Sequence, residues 1–430
     1  MFSFKKFDNK SKLTICVVDN CGGAYLSIAR HMSKYFSKTF YHSVNQNPFP
    51  RLSLDQVGSG YDDITIISEF WSSLDQFDVI MFPDIYFNDW GLKLRQMGKL
   101  VWGGCESEII ETDRKIFKDE LDNVKLPNGK ATYIKGITAL REHLQGVEDK
   151  WIKISYYRGE IETYHHIDFD HSKQWLNEIS YTMGPLGEVL TFVVNDPIDS
   201  VIELGCDTWC INGIQPQNKI WGCEVKDCGY IGRVTNEKEI PEPISYVNRM
   251  FQPVLQKYNH TGFYSTEIRY TKEGIPYYTD PCMRAGSPPS NTYMALIDNW
   301  ADIIVAGCKG EIVEPNFIAE YGVEIILKSS YCNEGYLAIS YPQEFSDNIR
   351  FKGSFKIDNA EYIIPFTHCG FDMVEFGSVV VVGNTLEECI TKALDIASKV
   401  DGYKVEYNAA ALPEAIESIN KLQETLNIKF

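Results

Sequence analysis

Asp280, Cys282 and Arg284 stand at alternate positions in the stretch GIPYYTDPCMRAGSPPS, Gly274–Ser290. On a strand, period-two alternation sets the acid, the thiol and the arginine on one face. A strand that only packs has no use for such charge; one that serves a polyphosphate does. Just upstream, RYTKEGIPYY reads as a hairpin with Glu273-Gly274 at the centre of its turn. That register sets Glu267 directly opposite Asp280. Facing Cβ atoms in an antiparallel pair are ~4.5–5.5 Å apart, and like charges there repel. Two carboxylates so placed call for a cation between them, or for one proton. Hard oxygen ligands suit Mg²⁺ (or Mn²⁺), which binds one or two carboxylates together with phosphate oxygens. Arg284 could then meet a transferring phosphoryl group. The competing reading is a solvated hairpin with both acids outward, since a one-residue slip in register separates them.

The elements that must position these residues follow from the apolar periodicity. KLTICVVD is a buried strand, and NCGGAYLSIARHMSKYF is a Gly turn leading into an amphipathic helix with Leu26, Ala29, Met32 and Phe36 near helical spacing. FDVIMFPD, WGLKLRQMG and KLVWGG continue the alternation, which predicts a small parallel sheet over residues 1–105. Gly22-Gly23 lacks the G-x-G-x-x-G pattern and reads as a turn rather than a phosphate cradle. Residues 106–147 read as charged helices around a turn and short strand, LPNGKATYI. KWIKISYYRGEIETYHHID alternates about Arg158-Gly159 as a hairpin would, and SVIELGCDTWCINGI is an extended segment ending in an Asn-Gly turn. A helix over 241–262 is entered with Pro243 in its first turn. The closing region holds strands GVEIILKSS and GSVVVVG and a helix opened by Thr385 and Glu388 as a capping box.

The composition sets outer bounds. The chain has 430 residues, 44% hydrophobic and 13% aromatic, enough for about three domains with sizeable cores. The formal charge of −18, with no basic patch interleaved with aromatics, argues against nucleic acid as a partner. No segment approaches the ~18–20 apolar residues that span a bilayer, and the N-terminal residues lack a signal-like apolar run, so a cytoplasmic protein is expected. The twelve cysteines are then reduced thiols. Cys206/Cys210 and Cys223/Cys228 could be read as a zinc site, but their irregular spacing favours small buried residues. His165 and His166 are strand neighbours on opposite faces, so they are read as structural rather than as a metal pair.

GFYSTEIRYTKEGIPYYTDPCMRAGSP resembles the metal-binding hairpin of the ATP-grasp ligases, phosphoribosylamine–glycine ligase in particular. In that likeness Asp280 falls on the motif's Glu, Arg284 on its Arg, Gly286 on its Gly and Pro288 on its Pro. Two departures stand out: Cys282 occupies the metal-binding Asn position, and Ser287 and Pro289 replace the acids of Asp-Pro-Glu. Segment order extends the resemblance over nearly the whole chain. It implies an α/β (α+β ATP-grasp) fold with a Rossmann-like pre-ATP-grasp domain (1–105), a two-lobed catalytic core (106–310) and a small α/β closing domain (311–430). It implies Arg114, Lys118 and Lys153 on the nucleotide phosphates, Asn195 and Asp196 near adenine, and Glu203 or Asp207 near ribose. It further implies Mg²⁺ on Glu267 and Asp280, with Arg284 and Lys153 serving the chemistry. The family's Gly-rich lid is replaced by YYRGEIETYHH, where Arg158 and Glu162 could reach the site. The activity implied is ADP-forming ligation of a small-molecule carboxylate to an amine, as in purine biosynthesis; a homodimer is expected only as the commonest assembly of soluble enzymes. The alternative is an ATP-grasp homologue that binds nucleotide without ligating.

Overall fold

The computed structural model describes residues 10–44, 52–155, 163–366, 373–426 and 430. The first sheet follows directly from the apolar run in β1 (Ser11–Asp19): Ile15 and Val17 enter one apolar cluster, Cys16 and Val18 another. A strand buried on both faces belongs inside a parallel sheet covered on both sides. Around it lie α1 (Leu26–Met32), β2 (Phe36–Ser43), β3 (Thr65–Ile66), β4 (Val79–Met81), α2 (Asn88–Gln96) and β5 (Leu100–Trp102). The strands are parallel in the order β3-β2-β1-β4-β5. Gly22-Gly23 serves backbone packing: a Cβ on Gly23 (φ +95°) would lie 2.5 Å from the Cα of Gly353.

The charged helix expected after residue 105 is two helices, α3 (Glu108–Thr112) and α4 (Arg114–Asn123). Asp113 separates them, its Oδ1 accepting the N–H of Lys115 (2.9 Å) and Ile116 (3.2 Å) as an N-cap. The break makes Arg114 the first residue of α4. Next come β6 (Ala131–Lys135), α5 (Ile137–Leu144), β7 (Lys150–Ile154), β8 (Thr163–His166), α6 (Phe169–Met183) and β9 (Thr191–Asn195). These strands form an antiparallel sheet, β6-β9-β7-β8. One face packs Ile152, Ile154, Phe192 and Val194 against Leu140, Leu144, Leu176 and Ile179 of α5 and α6. The alternate residues Trp151, Lys153, Val193 and Asn195 line a cleft instead. The expected β7–β8 hairpin is present, Lys153 pairing with Thr163; its tip, with Arg158, Gly159 and Glu162, lies outside the described residues. His165 stacks on Trp151 at 4.5 Å, while His166 is buried between Ser172 Oγ (2.6 Å) and the Val147 carbonyl (3.0 Å). The two rings thus lie on opposite faces of β8, as strand alternation requires.

The third unit starts with β10 (Ser200–Cys210), β11 (Asn218–Val225), β12 (Gly229–Asn236) and α7 (Glu242–Lys257). α7 ends five residues before the expected 262, ahead of Asn259, which takes a left-handed backbone (φ 47°). There follow β13 (Gly262–Thr271), β14 (Pro276–Cys282), α8 (Ser290–Leu296), α9 (Trp300–Gly307), β15 (Tyr321–Ser329), β16 (Leu337–Ser340), β17 (Ile349–Phe351), β18 (Ser354–Ile357), β19 (Ala360–Ile363) and β20 (Val374–Gly383). The chain closes with α10 (Leu386–Ala397), β21 (Asp401–Gly402), β22 (Val405–Glu406) and α11 (Ala411–Leu426). One large sheet runs β14-β13-β10-β11-β12-β15-β20-β17, with β22 on β15; a smaller sheet is β18-β19-β16-β21. Leu204, Cys206, Tyr264 and Ile268 share an apolar cluster with Val323, Ile325, Val379 and Val381. The regions on either side of residue 310 therefore share a sheet and a core. Thr385 makes no side-chain cap bond, so the expected capping box is not formed. The Cys206 and Cys223 thiols are buried, which pushes each up to about 12, and Cys228 Sγ accepts from Asn408 Nδ2 (3.3 Å); these are core and contact residues rather than thiolate ligands. Among the described residues no helix is long and apolar enough to cross a membrane.

Candidate active site

Glu267 does stand opposite Asp280, through two offsets that cancel. The turn is a three-residue loop, Lys272 to Gly274, closed by Thr271 N–H on the Ile275 carbonyl (3.1 Å), with Gly274 left-handed (φ +79°). This is one residue off the Glu273-Gly274 centre expected from the sequence, so Ile268 pairs with Tyr278. A bulge at Thr279 then restores the register, pairing Glu267 with Asp280 and Ser265 with Cys282. The bulged Thr279 donates its hydroxyl to Glu267 Oε1 (2.9 Å).

The pairing continues across the sheet. Glu267 faces Gly205 of β10, and Gly205 faces Gly222 of β11; Asp207 faces Ser265, and Glu203 faces Arg269. Alternation therefore gathers Glu203, Asp207, Ser265, Glu267, Asp280 and Cys282 on one face, while Leu204, Cys206 and Ile268 go to the core. That face is the floor of two adjoining cavities, both lined by Arg114, Glu267 and Asp280.

The first cavity lies between the small sheet and the hairpin. Trp151, Lys153, Val193 and Asn195 line it from above, Glu267, Arg269 and Asp280 from below, and Lys118 and Asp196 also border it. Asp196 is ion-paired to Lys150 at 3.0 Å. Lys118 Nζ donates to Asn128 Oδ1 and the Gly129 carbonyl, each at 2.9 Å; burial first, then Lys153 and Arg114, bring its ammonium down to about 8. The second cavity holds Glu203 and Asp207, which do not border the first; Asp207 is buried and accepts from the Tyr230 hydroxyl at 2.5 Å. Arg284 and Cys282 also line this second cavity.

Asp280 is the electrostatic centre. Its Oδ1 accepts from Arg114 Nη1 and its Oδ2 from Lys153 Nζ at 2.8 Å. Burial alone would raise this carboxyl, but the two cations outweigh burial and hold it well below the usual carboxylate range. The acids farther along the sheet behave oppositely. Partial desolvation in the cavity, then Glu267, raises Glu203 despite Arg269 at 3.3 Å, although 45% of its side chain is exposed. Partial desolvation in the cavity, then Glu267, Glu203 and Asp207, raise Glu224, whose side chain is exposed, and burial lifts the enclosed Asp207 to about 6. Among the described residues no three His, Cys, Asp or Glu side chains converge as a ready metal site; Glu267 and Asp280, paired across the hairpin, offer hard oxygen donors of the kind a divalent cation takes together with phosphate. Arg284 does not point unaccompanied at a phosphate position: its Nε donates to Glu111 Oε1 (2.7 Å), with Asp84 at 4.0 Å.

Reading the sequence alone misses Glu111, Trp151, Glu224, Tyr230 and Arg269. Glu111 sits in a run of helical charge with nothing to set it apart from a solvated face. Trp151 and Arg269 had a usable signal, since each lies two residues from a chosen one (Lys153, Glu267) on the same strand and hence on the same face. Across the cleft the Arg269 guanidinium lies 5.7 Å from the Trp151 ring centre.

No model of a known protein family and no curated protein matches the chain. Solved structures do. Phosphoribosylamine–glycine ligase of Thermotoga maritima superposes with a TM-score of 0.68 at 15% identity, over 92% of this chain and 99% of that one. The biotin carboxylase domain dimer of Hydrogenobacter thermophilus 2-oxoglutarate carboxylase, in complex with MgADP, ADP and bicarbonate, gives 0.64 at 10% identity, over 95% and 99%. L-amino acid ligase of Bacillus licheniformis gives 0.60 at 13% identity, over 93% and 100%. At these identities the likeness establishes the fold.

Proposed function

We propose, from the premise that this chain has the ATP-grasp fold, that it is an ADP-forming ligase joining a small-molecule carboxylate to an amine. The observation that carries the reading is the convergence of Arg114, Lys153, Glu267 and Asp280 where the two cavities meet. A nucleotide in the first cavity would set its phosphates at that junction, with the substrates in the second. A carboxylate oxygen attacks the γ-phosphorus, the bond to the bridging oxygen of ADP breaks, and an acyl phosphate forms. The amine then attacks the acyl carbon, the carbon–oxygen bond to phosphate breaks, and the nitrogen gives up a proton.

Few groups do this work, and their task is positioning and charge neutralisation. Lys153, Arg114 and Lys118 would hold phosphate oxygens; Lys153 and Arg114 now hold Asp280, so nucleotide would draw them off one carboxylate onto another anion. Glu267 and Asp280 would hold Mg²⁺ (or Mn²⁺), which supplies neutralising charge to the phosphates when bound. Trp151, Asn195 and Asp196 would border the base. Glu203 and Asp207, which the resemblance sets near ribose, line the second cavity and not the first, which supports a place on the substrate side. Arg284, steadied by Glu111, would face charge developing on the γ-phosphoryl group. The reading places the enzyme in the cytoplasm as a homodimer, with no nucleic acid or membrane partner; the dimeric neighbour above supports the assembly.

A second reading, nucleotide binding without ligation, is favoured by Cys282: a thiol is a poor Mg²⁺ ligand, and here it lies within 3.5 Å of the Arg284 carbonyl. The test is ADP release with Mg-ATP, a carboxylate pool and an amine pool, comparing wild type with Asp280→Asn. Release that falls by about 10²–10³-fold in the variant supports the ligase; saturable ATP binding with no release supports the second reading.

A further inference from the structure

We infer that the free protein is latched by its own metal-binding acid: Asp280 holds Lys153 and Arg114, and nucleotide phosphates must draw both cations away before Asp280 can take up a divalent ion. This inference rests on the ligase reading and deepens it, because it sets the order in which the site is assembled. Asp280 is bonded through both oxygens, each to a different element. Its Oδ1 accepts from Arg114 Nη1, at the start of α4, and its Oδ2 from Lys153 Nζ (2.8 Å), on β7 of the small sheet. Lys153 thereby ties the upper wall of the first cavity to its floor. Trp151, two residues away on the same face of β7, makes a second contact across that cleft, with Arg269 at 5.7 Å from its ring centre. These are not ordinary surface pairs, since the side chains of Arg114 and Lys153 are only 7% and 19% exposed.

The three side chains cannot serve the latch and the reaction together. While Lys153 and Arg114 stand against the two oxygens of Asp280, a divalent cation arriving alone meets their repulsion. A phosphate arriving alone meets the Asp280 carboxylate, with both cations already engaged. A nucleotide that brings a metal ion resolves both conflicts by an exchange of partners. Its phosphate oxygens accept charge-assisted bonds from Lys153 and Arg114. Asp280 would then be left with an uncompensated charge in a largely enclosed site, which is costly, and a cation shared with the phosphates supplies the compensation. Glu267 has no part in the latch. It accepts from the Thr279 hydroxyl (2.9 Å), with Arg269 Nε at 3.9 Å, and so provides a control of equal charge in the same cavities.

The test has two arms on the full chain: calorimetric titration with ADP, in EDTA and in Mg²⁺, and uptake of Mn²⁺ without nucleotide, read by electron paramagnetic resonance. In EDTA, Asp280→Asn is expected to bind ADP at least about tenfold more tightly than wild type, the equivalent of one charged hydrogen bond. Glu267→Gln removes an acid that holds neither cation, and should change that affinity by less than about threefold. In the second arm, Lys153→Met should take up Mn²⁺ at least about tenfold more tightly than wild type. Lys118→Met removes an equal charge that is bonded to Asn128 and Gly129 instead, and should change Mn²⁺ uptake by less than about threefold. Melting curves verify the fold of each variant. ADP affinity in EDTA that is no higher in Asp280→Asn than in Glu267→Gln, or equal Mn²⁺ uptake by Lys153→Met and Lys118→Met, overturns the latch and leaves the ligase reading standing. Wild type that binds no ADP even in Mg²⁺ contradicts the ligase reading, and the Mn²⁺ arm, which needs no nucleotide, then decides the latch by itself.

Discussion

At the scale of the residue, two kinds of carboxylate share one sheet face, and they respond to pH with opposite sign. Asp280, held down by Arg114 and Lys153, contributes stability that is present above the unfolded value near 3.9 and is lost as pH falls. Glu224 is raised, by partial desolvation in the cavity and by Glu267, Glu203 and Asp207, to about 8, against about 4.3 in an unfolded chain, and because its side chain is exposed solvent screens most of what this costs. Between those values the folded protein holds a proton that the unfolded chain has lost, so stability falls as pH rises through the window. Glu224→Gln removes that cost. Its melting temperature should exceed that of wild type by a margin that grows from pH 5 to pH 8, reaching about 1–2 °C. A margin that is constant or shrinks over this range would show that Glu224 is not under electrostatic pressure. The same residues show why charge type was legible and charge partner was not. Asp280 announces itself by sitting where a packing strand has no use for an acid, but its partners Arg114 and Lys153 lie 166 and 127 residues away, beyond the reach of any local pattern.

At the scale of the element, alternation along strands carried most of what could be read. It separated Lys153 from Ile152, Glu267 from Ile268, and His165 from His166 correctly, because a strand with one buried face must alternate. Bulges and loop lengths were not legible. The Glu267–Asp280 pairing came out correctly although the loop was placed one residue away, since the Thr279 bulge shifts the register back. The break at Asp113 was hidden as well: the residue is as ordinary in a charged helix as at an N-cap. Glycines in these strands are a sharper test of the geometry. A Cβ on Gly222 would lie 2.2 Å from the Ile231 carbonyl oxygen and 2.5 Å from the Tyr230 hydroxyl, whereas one on Gly205 meets nothing closer than 3.5 Å. Gly222→Ala should therefore cost about 3 kcal/mol in denaturant unfolding and Gly205→Ala less than about 1 kcal/mol. Similar costs at the two positions would contradict the packing described for β11 and β12.

At the scale of the molecule, the parallel N-terminal sheet and the order of units were visible in the alternation of strands and helices, but the sharing of one sheet across residue 310 was not. A composition-based boundary looks for linkers, and β12 joins β15 by pairing Tyr230 with Glu324 and Ile231 with Val323 without leaving any local sign. A chain ending at residue 310 would leave β12, still paired to β11, as an open sheet edge and uncover the apolar face that Val323, Ile325 and Val381 now cover. The 1–310 fragment should be insoluble or lack a cooperative melting transition, and a soluble fragment that still binds ATP would mean that the closing region is dispensable to the core. The central claim concerns the chemistry that this assembly performs. It is tested most directly by incubating wild-type protein with Mg-ATP, a pool of amino acids and a pool of amines, and weighing the products while counting ADP. The account predicts one ADP for each amide formed, of mass equal to acid plus amine less one water. ADP release without a condensed product, or a phosphorylated compound that persists as the end product, would contradict it.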